Sequence, residues 1–563
     1  MLQINLTVGD LRGNADKIIA CSRTAHTQGA NLVLSPELSI CGYPAEDLLL
    51  RPAFIAACSA QVARVAEALA DLPELTVVVG HPISATQPDA REKSVSVTSL
   101  HNAASVLRAG RTVAMAVKRE LPNYQVFDER RYFSPGHSPC VFELPTAKGP
   151  VGIGLLLCED AWFAQPALDC KAAGAQLLAV INASPWHLGK GADREAHMRE
   201  RVQQTGLPLI YTHCVGGQDE VVFEGRSFAL QANGDLALRM PSFEEYCKAV
   251  CMFIESDAIK FTPSAVAPER SELADLWDAL VLGVRDYLGK NGFPGALLGL
   301  SGGIDSAVVL AVAVDALGAD KVRAVMMPSP YTAEISWTDA SEMAQRMGVR
   351  YDEISIVPEF DAFKASLAGE FKGLPEDTTE ENIQARIRGT LLMALSNKTG
   401  DIVLTTGNKS EMATGYCTLY GDMAGGFAVI KDVLKTLVFK LAVWRNIHDP
   451  YGTGISPILE RIIARPPSAE LRAGQVDQDS LPPYDILDAI LERYMEDDQG
   501  VEQIIAQGFD RAVVERVARL IRINEYKRRQ APVGIRVTHR SFGKDWRYPI
   551  TGKFGPETRQ ETP

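Results

Sequence analysis

Residues 296–314 read ALLGLSGGIDSAVVLAVAV, and the order of residue types in this stretch sets the fold of the second half of the chain. An apolar run of strand length leads into Ser301-Gly302-Gly303-Ile304-Asp305-Ser306, and a helix-forming apolar run follows at once. Glycines let the backbone turn tightly, so that successive N–H groups converge on one anion. The start of the helix adds its own unpaired N–H groups and the positive end of its dipole. The hydroxyls of Ser301 and Ser306 supply further donors, and Asp305 can help hold a divalent cation. A second strand, VRAVMMPS (322–329), completes a β-loop-α-β unit suited to phosphate binding. No GxxxxGK[ST] string occurs, which disfavours a Walker-type NTPase.

Just before this unit, SELADLWDALVLGVRDYLGKNG (271–292) reads as a helix. Before that, periodicity stops: KFTPSAVAPERS is rich in Pro and Ser, and 259–270 reads as a linker. Residues 1–258 alternate short β-rich runs with helical stretches. LQINLTV, NLVLSPE, LTVVVGHPI, AASVLRAG, RTVAMAVK, VGIGLLLCED and QLLAVINAS read as strands, and FIAACSAQVARVAEALADL reads as a helix. That alternation implies a layered α/β domain. The expected division is therefore 1–258, a linker at 259–270, and 271–563.

Bulk properties set the class. A chain of 563 residues exceeds what one core holds, and 46% apolar residues is ordinary for a globular protein. A net charge of −13 argues against nucleic acid and membrane surfaces as partners, since both are polyanionic. The ten cysteines form no CxxC pair, so no disulfide or zinc framework is expected. The N-terminus lacks the apolar stretch of a signal peptide, and no apolar run reaches the roughly 18 residues of a spanning helix. A reduced cytoplasm is the expected compartment.

Three strand ends in the first half carry reactive groups. NLVLSPELSICGYPAEDLL places Glu37 after an apolar strand, RTVAMAVKRELPNYQVFDERRYFSPG places Lys118 at the end of another, and GIGLLLCEDAWF places Cys158 at the end of a third. A thiol attacks an amide only as thiolate, so it needs a base nearby. Glu37 can accept the Cys158 proton. Lys118 can offset the Glu37 charge and stabilise an oxyanion. Glu129 in VFDERR is the candidate carboxylate that holds Lys118. These segments resemble the nitrilase superfamily, whose triad is Glu, Lys and Cys on such motifs. The resemblance implies an αββα sandwich over residues 1–258. In members linked to a synthetase it implies glutamine binding by the residues matching Tyr124, Ser184 and Lys190, the last two in NASPWHLGKGADRE.

The 296–314 stretch is similar to the PP-loop of ATP pyrophosphatases, which implies a Rossmann-like parallel sheet and ATP cleavage between the α- and β-phosphates. By that likeness Gly299, Leu300, Ser301, Gly302, Gly303, Ile304, Asp305 and Ser306 are ATP-binding candidates. ENIQARIRGTLLMALSN, LTTGNKSEMATGYCTLYGDMAGGFAVIKDVLKT, RPPSAELRAGQVDQDSLPPYDILD and RRQAPVGIRVTHRSFGKDWRYPI resemble the NAD synthetase family. That resemblance implies that Thr406 contacts ATP and that Asp305 and Glu411 hold Mg²⁺. It places Asn382, Arg386, Glu411, Asp422, Lys435 and Lys544 at the deamido-NAD site. Glutamine, ATP and nicotinic acid adenine dinucleotide are the implied substrates, and a homo-oligomer the expected assembly. An ammonia-dependent synthetase with a degenerate first domain, and a PP-loop amidotransferase for another acid, are the competing readings. The intact Glu37, Lys118 and Cys158 set argues against the former, and GNKSEMATGY with YGDMAGG against the latter.

Overall fold

Apolar residues at period two build the first half of the protein in four layers. The computed structural model describes residues 1–84, 100–255, 258–472 and 474–552. The chain separates into two units, Met1–Arg270 and Ser271–Pro563.

In the first unit, β1 (Leu32–Leu34), β2 (Thr76–Ser84), β3 (Leu100–Arg108) and β4 (Arg111–Val117) form one sheet in sequence order, parallel between β1 and β2 and antiparallel thereafter. A six-stranded sheet holds β5 (Cys140–Leu144), β6 (Val151–Leu157), β7 (Leu177–Asn182), β8 (Leu209–His213), β9 (Phe228–Leu230) and β10 (Leu236–Arg239). They run consecutively across it, and the central β6, β7 and β8 are parallel. Side chains alternate between the faces of a strand. On β2, Val78 enters the core between the sheets while Val77 and Val79 face helices α1 (Leu11–Thr27) and α2 (Pro52–Ala68). On β7, Leu177, Ala179 and Ile181 face inward. Leu178 and Val180 pack outward on α3 (Ala164–Ala172) and α4 (Lys190–Thr205). The result is the expected αββα sandwich.

The linker expected at 259–270 is corrected by the structure. Ala258–Phe261 pairs antiparallel with Met252–Glu255. Ile259 and Phe261 enter the inter-sheet core, and Phe261 is only 1% exposed. Farther on, Val266 bridges to Arg239, and Glu269 pairs with Arg226 at 2.7 Å and with Arg239 at 2.6 Å. A strand of four residues followed by Pro263 and Pro268 is too short to register as periodic, so composition masks its burial.

The second unit is built on a parallel sheet. Its strands are β11 (Ala296–Gly299), β12 (Val322–Met326), β13 (Arg350–Glu353), β14 (Ile402–Thr405) and β15 (Phe427–Ala428), in the order β13-β12-β11-β14-β15. Helix α5 (Glu272–Asn291) begins at Ser271, whose side chain accepts from Ala274 N–H, and packs with α6 (Ile304–Leu317). Residues from β11, β12 and β14 share a core with α8 (Val357–Leu367) and α9 (Thr378–Thr399); α7 (Glu334–Met347) follows β12. Strand order reverses between β11 and β14. In open α/β sheets the crevice at such a point, beyond the carboxyl ends of the strands, is where ligands bind.

Candidate active sites

The first site stands at three strand ends. Lys118 directly follows β4, Cys158 directly follows β6, and Glu37 lies three residues past β1. Gly80 on β2 allows the close approach, since a Cβ there would stand 2.5 Å from Leu38 N. Lys118 is fully buried, and its Nζ donates to Glu37 Oε1 and to Glu129 Oε1, each at 2.7 Å. Asn102 donates to Glu37 Oε1 at 2.8 Å, Ala183 N–H to Glu37 Oε2 at 3.1 Å, and Tyr43 OH to Glu129 Oε1 at 3.1 Å. Two buried carboxylates thus share one buried ammonium, and neutral donors satisfy their remaining oxygens.

Cys158 is 1% exposed and sits at φ 46°, in the left-handed region. A non-glycine residue there costs about 1–3 kcal/mol and persists only where its surroundings fix it. Asp160 does the fixing. Its carboxylate accepts from Leu157 N–H at 3.1 Å and from Arg119 and Glu120 N–H at 2.8 Å each, tying the cysteine turn to the chain after Lys118. Burial pushes the Cys158 thiol well above its ordinary pKa; Glu37 adds to the rise and Lys118 opposes it. Burial disfavours charge on Lys118, but Glu129 and Glu37 outweigh it and hold the ammonium well above the usual lysine range. Burial lifts Glu129 to about 7 against the pull of Lys118. The resting state is a protonated thiol beside a carboxylate and a fixed ammonium, which suits proton transfer coupled to attack on a carbonyl.

Of the other candidates of this unit, Tyr124 and Lys190 lie close enough to Cys158 to interact with it electrostatically. Tyr124 OH donates to Glu159 at 2.9 Å. Ser184 Oγ accepts from Arg194 at 2.9 Å, and Arg194 is paired with Glu224 in the core. Lys190 Nζ lies 4.0 Å from the centroid of the Trp162 ring. The sequence reading missed Asn102, Tyr43, Asp160 and Arg194. Asp160 and Glu159 follow the cysteine directly in CEDAWF, so that string held a signal; Arg194, on α4, left none.

The second site is a cavity of about 550 Å³ at the sheet's switch point. Its walls include Gly299, Leu300, Ser301, Gly303, Ile304, Asp305 and Ser306 after β11, and Thr406 after β14. Ser301 N–H donates to Ser306 Oγ at 3.3 Å, Gly303 N–H to Ser301 Oγ at 3.2 Å, and Ser306 Oγ to the Gly303 carbonyl at 3.0 Å. Gly302 turns the loop at φ 77°; a Cβ there would stand 2.3 Å from the Ser336 carbonyl. Gly302 lies behind the cavity wall, its carbonyl taking a bond from Arg465.

Lys435 Nζ bonds both Asp305 and, at 3.3 Å, Glu411, while Asn408 holds the other Asp305 oxygen at 2.9 Å. Burial raises Glu411 to about 8, with Lys435 opposing and Asp305 adding. Among the described residues, no group of three or more His, Cys, Asp and Glu side chains gathers as a metal site. Asp305 and Glu411 nevertheless converge on one cation, and an all-oxygen carboxylate pair completed by phosphate oxygens is the donor set that Mg²⁺ prefers. The residues fit the ion.

Asn382 and Asp422 line the same cavity, linked through Thr418. Its hydroxyl donates to Asn382 Oδ1 at 2.8 Å, and its N–H donates to Asp422 Oδ1 at 2.6 Å. Two candidates fall outside. The exposed Arg386 donates to the Leu419 carbonyl at 3.3 Å and does not reach the cavity, whereas Arg388 lines it and bonds the Met327 carbonyl at 3.0 Å. Lys544 is also absent from the wall, and Lys527, not singled out by sequence, is present.

Comparison with known proteins agrees with this division. The carbon-nitrogen hydrolase family model matches residues 1–251, and the NAD synthase model matches 276–531. The glutamine-dependent NAD(+) synthetase of Acinetobacter baylyi is 46% identical over 99% of this chain and 98% of its own length. That of Xylella fastidiosa is 47% identical over 98% of each. Among solved structures, the glutamine-dependent NAD+ synthetase from Acinetobacter baumannii in complex with ADP is 42% identical, with a TM-score of 0.76 and coverage of 98% and 97%. An amide-hydrolysing unit and an ATP-using amide-forming unit in one chain define a carbon–nitrogen ligase that draws its nitrogen from an amide. The chain belongs to the glutamine-dependent NAD(+) synthetase family, and it amidates deamido-NAD to NAD with nitrogen from glutamine.

Proposed function

We propose that the two half-reactions run on the residues described above. Cys158 attacks the side-chain amide of glutamine as Glu37 takes the thiol proton, and the Lys118 ammonium stabilises the oxyanion. Ammonia departs with that proton, and water then releases glutamate from the thioester. Tyr124, Ser184 and Lys190 hold the amino-acid end of glutamine. In the second unit, the N–H groups of residues 301–306 and the start of α6 receive the ATP phosphates. Asp305 and Glu411 would hold Mg²⁺, which supplies charge neutralisation at the phosphates when bound. The nicotinate carboxylate displaces pyrophosphate to give an acyl adenylate, and ammonia displaces AMP. Asn382 and Asp422 face the dinucleotide. Lys435 holds the two carboxylates in register. Arg386 and Lys544 are left out of this assignment.

The observation that carries the reading is Lys118 Nζ at 2.7 Å from both Glu37 and Glu129, at the strand end facing Cys158. Trapping is the test. Glutamine given to the enzyme at low pH should leave a glutamyl adduct on Cys158, detected by mass spectrometry of the peptide containing residues 151–163. An adduct elsewhere would reassign the nucleophile. The reading extends to the cytoplasm, supported by ten free cysteines; no helix among the described residues is long and apolar enough to cross a membrane. It also extends to a homo-oligomer, which light scattering tests.

A further inference from the structure

Cys21 and Cys247 take no part in either site, yet the fold of the first unit brings them together. Leu2–Gln3 pairs antiparallel with Tyr246–Cys247, Leu2 opposite Cys247. Gln3 secures the approach to that pairing by donating to the Pro241 and Glu244 carbonyls at 2.7 and 2.9 Å. Helix α1 lies against the same segment, where Lys17 pairs with Glu245 at 2.8 Å. Residues four apart share a helix face, and residues two apart share one side of an extended chain. One step beyond Lys17 and Glu245 along each element stand Cys21 and Cys247, and their thiols hydrogen-bond each other. Cys247 is exposed and Cys21 half-buried, so a small molecule reaches the pair from solvent. Cys41 and Cys58 are also hydrogen-bonded to each other, but both are fully buried, which closes them to solutes.

We propose that Cys21 and Cys247 form a thiol–disulfide exchange site, which takes a small disulfide and closes into a bond between helix α1 and the segment after β10. Reactive cysteines of this kind combine access, a lowered pKa and a neighbouring resolving thiol. The pair has all three. The hydrogen bond from the Cys247 thiol lowers Cys21 to about 7; burial and Glu245 oppose the fall, and Lys17 adds to it. That same bond holds the second proton of the pair well above the ordinary thiol range. In the first step the Cys21 thiolate attacks one sulfur of the small disulfide. Its S–S bond breaks, and half of the molecule leaves as a thiolate. Cys247 gives up its proton to that thiolate and attacks the Cys21 sulfur, expelling the other half, which takes a proton from water. Two protein thiols are oxidised by two electrons, and one small disulfide is reduced to two thiols. The new bond spans nearly the whole unit Met1–Arg270, so it removes much of the freedom of the unfolded chain. It leaves Glu37, Lys118 and Cys158 untouched and acts as a staple on the first unit under oxidising conditions.

The experiment treats the full-length enzyme with glutathione disulfide, blocks the remaining thiols by alkylation and digests the protein without reductant. Mass spectrometry of wild type should show a peptide linking Cys21 to Cys247, with no glutathione attached. Cys247→Ser should stall at the first step, with one glutathione held on Cys21. The thermal midpoint of the first unit should rise by roughly 5–10 °C in treated wild type, the effect of a cross-link over a long loop. Dithiothreitol should reverse the rise, and Cys247→Ser treated alike should not show it. Untreated Cys247→Ser should hydrolyse glutamine at the wild-type rate, which reports that the variant is folded. Wild type that keeps glutathione on Cys21 or Cys247 would overturn the proposal, as would recovery of both cysteines alkylated. A link from Cys247 to Cys251 in place of Cys21 would overturn it too, and so would a linked enzyme whose midpoint does not move.

Discussion

Lys118 Nζ lies 2.7 Å from Glu129 Oε1 with both groups buried, and Glu129 has a pKa of about 7 even so. The pairing is a compromise between burial, which penalises the carboxylate, and an ammonium that must also serve Glu37. Glu129 does not touch the thiol proton; it sets where the ammonium stands. Glu129→Gln keeps the shape and removes the charge. It should lower kcat for glutamine hydrolysis by roughly 10²-fold, the scale of a misplaced catalytic group. Ammonia-driven synthesis is the internal reference. A normal kcat in this variant would show that Glu37 alone positions Lys118.

Cys158→Ala should abolish glutamine-driven NAD formation and leave ammonia-driven formation largely intact, because the second unit consumes only NH₃. Measuring NAD with each nitrogen source in parallel decides it. Residual glutaminase activity in the variant would place the nucleophile elsewhere.

Phe261→Ala tests where the first unit ends. The ring is 1% exposed in the core between the sheets. Its loss should cost about 3–5 kcal/mol, read as a lower thermal or denaturant midpoint of the glutaminase unit. A change within a few tenths of a kcal/mol would return residues 259–270 to the status of linker.

The sequence reading reached this structure unevenly, for physical reasons. Glu37, Lys118 and Cys158 were legible because each ends an apolar strand, where polarity changes abruptly. The hairpin at 252–261 was not, since its inward residues Ile259 and Phe261 are followed at once by Pro263. Arg386 is placed at the deamido-NAD site by resemblance, and it does not line the cavity. Asn382, Ala385, Gly389 and Leu392 recur at helical spacing along the cavity face of α9. Thr378, Glu381 and Arg388 extend that face on one side only, so Arg386, about 40° beyond Asn382 on the other side, lies at its edge and is exposed. Asn102 and Tyr43 come from strands and loops distant in sequence, and no local pattern marks them.

Asp305→Asn removes one of the two carboxylates, Asp305 and Glu411, that meet at Lys435. Pyrophosphate release should fall at least about 10³-fold with either nitrogen source, the several kcal/mol that charge stabilisation at phosphorus supplies. Glutamine hydrolysis in the absence of ATP should persist. Unchanged pyrophosphate release would dissociate the loop at 301–306 from the adenylation step.

Lys190 makes the pH dependence of the glutaminase informative. Burial lowers its pKa to about 8; Arg194 adds to the fall, and Cys158 and Glu159 oppose it. A lowered lysine pKa means that the ammonium is lost as pH rises through about 8. If that ammonium receives the glutamine α-carboxylate, Lys190 should add no pH dependence to kcat/KM for glutamine below this value. Above it, kcat/KM should decline, approaching roughly tenfold per pH unit, since kcat/KM reports groups of the free enzyme. In the complex the bound carboxylate pulls the pKa back up, so kcat should hold to higher pH than kcat/KM does. Lys190→Arg keeps a positive charge that does not titrate in this range. It should lose some affinity from altered geometry, but its kcat/KM should no longer turn down near pH 8. The α-ammonium of glutamine titrates higher and identically for both enzymes, so the separation of the two profiles isolates Lys190. The Cys158 thiol is held well above its ordinary value and does not enter the same window. Superimposable alkaline limbs in the two enzymes would assign the loss to another group and remove Lys190 from the glutamine site.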